Sequence, residues 1–148
     1  MEKRAFLTLL FLLIVGRGYS QDKTHAFFMI GDYDSPQWEK IEFDLTGQGK
    51  EITYSYRTNE RGHKLQLLGM KYAGTRKELT VKITGTTKIY VLLSDPKNRR
   101  ITMLSKDGTY KKTFALGYEG PVNGVGTYCD HCANEPEDAF KLVDVFFL

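Results

Sequence analysis

The chain has 148 residues, 41% hydrophobic, 26% charged and 13% aromatic, with 14 Gly and only 4 Pro. This is the composition of an ordinary globular protein, and it excludes collagen, a coiled coil and a disordered chain. The formal charge is +3, but Glu2, Lys3, Arg4 and Arg17 lie in a leader-like segment. Residues 21–148 carry 18 basic and 17 acidic side chains, a balance that gives no reason to expect a nucleic-acid partner.

Residues 1–20 read as a secretory signal peptide. Lys3 and Arg4 form a basic start, Ala5 to Val15 an apolar run, and Gly18 and Ser20 supply the small residues that cleavage requires. The expected mature chain, 21–148, is long enough for one core and too short for two domains. Past the leader no apolar run approaches the roughly 20 residues of a membrane-spanning helix, so no transmembrane segment is expected in the mature chain. A secreted or periplasmic location follows from these readings. Asn59, Asn98, Asn123 and Asn134 all lack Ser or Thr two positions on, so no N-glycosylation is expected.

From the mature start onward, short runs rich in β-branched and aromatic residues alternate with turn residues at about ten-residue spacing. The predicted strands are His25–Ile30, Lys40–Leu45, Glu51–Arg57, Lys64–Tyr72, Glu78–Thr84, Lys88–Leu93, Arg100–Leu104 and Tyr110–Gly117. Ile52, Tyr54 and Tyr56 share one face of the third, and Leu79, Val81 and Ile83 one face of the fifth, the period of a half-buried strand. Turns are expected at Thr46–Gly49, Asn59–Gly62, Asp95–Asn98 and Lys106–Gly108. The fold class is therefore all-β: a single-domain antiparallel β-sandwich or barrel of about eight strands.

The last segment has two readings. Asn134 followed by Glu135, Pro136 and Glu137 resembles a helix start, with Asn134 as the cap, and Phe140, Val143 and Phe147 recur at helical spacing. Val143, Val145, Phe146 and Phe147 are equally good strand formers. The C-terminal segment, 139–147, is either a last strand or a short helix, and in both cases is apolar enough to dock on the core.

Charge is segregated: Gln21–Gly49 sums to −4, Lys50–Lys112 to +10 and Thr113–Leu148 to −5. Two arrangements fit this, acidic arms folded against a basic middle or a single cationic face for an anionic partner. Basic residues recur in predicted turns, at Arg57 and Arg61, Arg76 and Lys77, Lys97, Arg99 and Arg100, and Lys106, Lys111 and Lys112. Gathered at one end of the sheets, they make a cationic rim for phosphate, sulfate or carboxylate groups.

Cys129 and Cys132 are the only cysteines, in Cys-Asp-His-Cys. In an exported chain they are expected to form a disulfide closing a local loop. The alternative is a metal- or thiol-dependent protein using Cys129, His131 and Cys132, completed by His25 or His63 if the fold brings one over. The Gly-rich stretch Gly117–Tyr128 matches neither a dinucleotide fingerprint nor a P-loop, and Asp32–Trp38 lacks the ligand spacing of a calcium loop. Hydrolase motifs are absent. The expectation is a non-catalytic binding or interaction module, without a cofactor, whose partner is an anionic glycan or protein. Its site is placed on Trp38, Tyr118, Tyr128, Arg99 and Arg100. A β-barrel carrying a small apolar ligand is a further alternative.

Overall fold

The computed structural model describes residues 23–117, except 33, 48 and 75, and residues 131–147. The described residues form a closed barrel of eight antiparallel strands, each bonded to the next in sequence. They are β1 His25–Ile30, β2 Glu39–Asp44, β3 Glu51–Tyr56, β4 Asn59–Ala73, β5 Arg76–Ile83, β6 Ile89–Asp95, β7 Arg100–Ser105 and β8 Lys111–Leu116. Closure rather than a sandwich comes from β1 pairing with β8, Phe28 opposite Leu116 and Met29 opposite Ala115. Period-two alternation drives it: Ile41 and Phe43, Ile52 and Tyr54, Leu79, Val81 and Ile83, and Ile101 and Met103 are all buried, with more exposed residues between them.

Strand limits agree with the sequence to within a residue or two, with one exception. The expected turn at Asn59–Gly62 lies inside β4, and the chain reverses at Arg57–Thr58, with Asn59 opposite Tyr56. Gly62 serves an irregularity in the β3–β4 ladder instead. Its φ is +71°, and a Cβ there would sit 2.4 Å from Thr53 Cγ2.

The hairpin connections divide the barrel into two ends. The β1–β2, β3–β4, β5–β6 and β7–β8 connections gather at one end, the mouth; the β2–β3, β4–β5 and β6–β7 connections lie at the other. The C-terminal segment is a helix, α1, Pro136–Phe146, packed into the barrel core. Proline opens it, Glu137 and Asp138 occupy its first turn, and Ala139, Phe140, Leu142, Val143 and Phe146 form its buried stripe. The expected cap is shifted by one residue: Glu135 takes the N-cap position without a side-chain cap bond, while the Asn134 Oδ1 is buried without a partner among the described residues.

Tertiary packing decides between helix and strand. Phe140 meets Phe28 edge-on at 5.4 Å, and Phe146 meets Phe43 at 5.1 Å. Polar contacts fasten the C-terminal end of the helix near the end opposite the mouth: Lys77 Nζ lies 2.7 Å from Asp144 Oδ1, and the Tyr72 hydroxyl donates to the Phe147 carbonyl at 2.7 Å. The approach to α1 is held by β1, since Thr24 and His25 donate to the His131 carbonyl and Ala133 donates to that of His25.

Candidate functional site

Toward the mouth, the inward positions change character. Ile41, Ile52, Leu92 and Phe114 fill the middle of the barrel. One step along the same inward rows come Glu39, Tyr54, Tyr90 and Lys112, with Tyr56, His63 and Tyr110 around them. These larger, polar-tipped residues border a cavity of about 950 Å³ opening at the mouth, walled also by Trp38, Ile30 and Ile83. That volume matches one small-molecule ligand.

The polar centre of the wall is Glu39, only 9% exposed. Tyr54 donates to its Oε2 at 2.7 Å and Tyr110 donates to the same oxygen at 3.1 Å, while the Lys112 ammonium is paired with Oε1. Burial, followed by the hydrogen bonds with Tyr110 and Glu39, pushes the Tyr54 phenol far above its ordinary range. Tyr110 is also raised, by burial first; the neighbouring Tyr54 hydroxyl opposes the shift and the Glu39 charge adds to it. Both phenols therefore stay neutral donors at any physiological pH, and the carboxylate has its charge balanced by Lys112.

Around this centre the rings are in contact. Tyr54 lies 5.6 Å from Tyr56, Tyr90 packs edge-on against Tyr110 at 5.3 Å, and His63 lies 5.8 Å from Tyr56. His63 Nε2 is 2.8 Å from the Asn59 side-chain amide and 3.3 Å from the Tyr56 hydroxyl. Arg57 and Lys88 stand at the rim, and Arg57 Nη1 donates to the Ser35 carbonyl at 3.0 Å. The assembly can bury an apolar or aromatic body and offer it a few fixed polar groups.

The residues singled out in the sequence are dispersed. Trp38 lines the cavity and is 6% exposed. Arg99 and Arg100 lie at the β6–β7 connection, at the opposite end, where Arg99 has φ 56° and Arg100 Nε is 3.3 Å from Asp95 Oδ2. Arg100 borders an outer cleft of about 350 Å³ with Arg76 and Lys111. Tyr118, Tyr128 and Cys129 lie outside the described residues. The basic turns divide between the ends: Arg57, Arg61 and Lys106 sit near the mouth, and Arg76, Lys77, Lys97, Arg99 and Arg100 at the far end. Acidic arms do meet the basic middle, at Glu39–Lys112 and Lys77–Asp144.

Cys132 is buried, and among the described residues no cysteine is free. The fold brings His25 into a backbone bridge with Cys132, but the His25 ring is directed at Asp44, 3.2 Å away. Among the described residues no three His, Cys, Asp or Glu side chains are grouped to hold a metal.

Sequence reasoning passed over Glu39, Tyr54, Tyr56, Tyr90 and Tyr110 as site residues; Lys112 entered it only among the basic turn residues, and His63 only as a conditional metal ligand. A signal was there to be read: Lys112 stands two residues from Phe114, and Glu39 two from Ile41, each a charge in the phase of buried residues. No protein-family model matches the chain, and no curated protein or solved structure matches it significantly.

Proposed function

We propose that the protein binds one small, largely apolar ligand in the open end of its barrel and acts as a carrier or sensor of that ligand. The observation that carries this reading is the cavity of about 950 Å³ walled by Trp38, Tyr54, Tyr56, Tyr90 and Tyr110 around the Glu39–Lys112 pair. An eight-stranded barrel has an interior that side chains can just fill or that can hold one small ligand. Here α1 and the phenylalanines fill the half away from the mouth, and the mouth half keeps its space. Anchored aromatic rings add affinity without the entropy cost of ordering long side chains.

The leader places this binding outside the cytoplasm in our reading, with Cys129 and Cys132 joined as a disulfide. Supporting it are the basic and apolar organisation of residues 1–20 and the absence of a free cysteine among the described residues. Trp38 is the only tryptophan and borders the cavity, so its emission reports occupancy of this site. Titration with N-phenylnaphthylamine, a neutral arene, is expected to quench Trp38 and saturate at one equivalent; unchanged Trp38 emission would rule the reading out.

A further inference from the structure

Taking the cavity to be the ligand site, as proposed above, we infer that its ligand is an amphipathic anion, with an apolar body among the tyrosines and an acidic head at the rim against Lys88 and Arg57. Among the described residues, the charged side chains bordering the cavity are Glu39, Arg57, Lys88 and Lys112. Glu39 is already occupied, accepting from Tyr54, Tyr110 and Lys112. Its charge is spent within the wall.

Arg57 and Lys88 remain. Both are exposed, and neither is ion-paired with a carboxylate of the described residues; Arg57 donates to the Ser35 carbonyl. They stand on the β3–β4 and β5–β6 connections, both at the mouth. Two cations beside low-dielectric aromatic walls focus a positive potential on the entrance. A cationic ligand would meet Arg57, Lys88 and Lys112 with no unspent carboxylate among the described residues to receive it, despite the aromatic faces that otherwise suit ammonium groups. A neutral ligand satisfies the walls but leaves the rim unused. An acid takes up both, because each rim cation offers it charge-assisted hydrogen bonds.

The test uses three amphiphiles with one chain length and three heads, decanoate, decanol and decyltrimethylammonium, each below its micelle concentration. Each displaces N-phenylnaphthylamine from the full-length protein, followed by recovery of Trp38 emission. Decanoate is expected to displace the probe at a concentration about tenfold below that of decyltrimethylammonium, with decanol between them. In the double variant Arg57→Met, Lys88→Met the three should fall within about threefold of one another. Lys71→Met with Lys97→Met changes net charge equally away from the rim, and should preserve the order. Equal displacement by all three, preference for the ammonium, or an order that survives in the rim variant would overturn the inference while leaving the cavity as the site. Failure of the probe to quench Trp38 at all would overturn both.

Discussion

Lys112 on β8 is ion-paired with Glu39 on β2 across the side of the barrel where β1 and β8 share only two register positions. β1 ends at Ile30, and β8 runs on toward the mouth without it. There, side chains rather than a backbone ladder tie the last strand to the first hairpin. Replacing Lys112 with Met leaves the Glu39 carboxylate buried with two phenols as donors. Breaking a fully buried pair costs about 3–5 kcal/mol. The Lys112 side chain is 41% exposed, so water compensates in part and the expected loss is about 1–3 kcal/mol in urea denaturation. Glu39→Gln keeps an acceptor for both phenols, and should cost about 1 kcal/mol.

The helix supplies the interior of the barrel at the end away from the mouth. Phe140→Ala and Phe146→Ala each remove a ring stacked edge-on against a barrel phenylalanine, and each should destabilise by about 3–5 kcal/mol. Asp144→Asn removes an exposed partner of Lys77 and should cost under about 1 kcal/mol. Equal losses in all three variants would contradict the packing described.

Acid should find the β7–β8 turn late. The hydroxyls of Ser105 and Thr109, then the Thr109 backbone N–H, hold the Asp107 carboxyl down at about 2. A lowered folded-state value means that the carboxylate stabilises this turn above the unfolded value of about 4 and loses that contribution as pH falls through about 2. A side-chain carboxyl NMR titration should give Asp107 a midpoint near 2. A midpoint near 4, the ordinary value, would show the turn bonds absent in solution.

Glycine is required for different reasons at the β4 bulge and at the β7–β8 turn. At Gly62, φ is +71° and a Cβ would sit 2.4 Å from Thr53 Cγ2 and 2.5 Å from Ser55 Oγ; at Gly108, φ is +75° and nothing lies within 4 Å. Gly108→Ala should therefore cost only the left-handed backbone strain, about 1 kcal/mol. Gly62→Ala adds a clash inside a ladder and should cost about 2–4 kcal/mol. Comparable midpoints of thermal unfolding for the two variants would contradict the β4 bulge.

Much of the barrel was legible because alternation is local: Ile52–Tyr54 and Leu79–Val81–Ile83 announce their buried faces within a few residues. Barrel over sandwich was not, since it rests on Phe28 meeting Leu116, 88 positions apart by their numbers. The helix at Pro136–Phe146 had equal claims from cap chemistry and from its β-branched residues, and contacts with Phe28 and Phe43 settle it. Asn59–Gly62 misled because Gly62 answers a bulge rather than a reversal. The site was least legible. Loop residues were favoured, so Trp38 was found, but the tyrosines lie on strands or at a strand's edge and converge only once four hairpin ends share one mouth. The same topology sends Arg99 and Arg100 to the other end.

The most direct measurement is the response of individual tyrosine rings to a bound ligand. With isotope-labelled tyrosine, N-phenylnaphthylamine should shift the ring signals of Tyr54, Tyr56, Tyr90 and Tyr110, which border the cavity, and all four should saturate together at one equivalent. Tyr72, bonded to the Phe147 carbonyl at the far end, should not move. Equal shifts at Tyr72, or none at the four cavity rings, would contradict a ligand site in the barrel mouth.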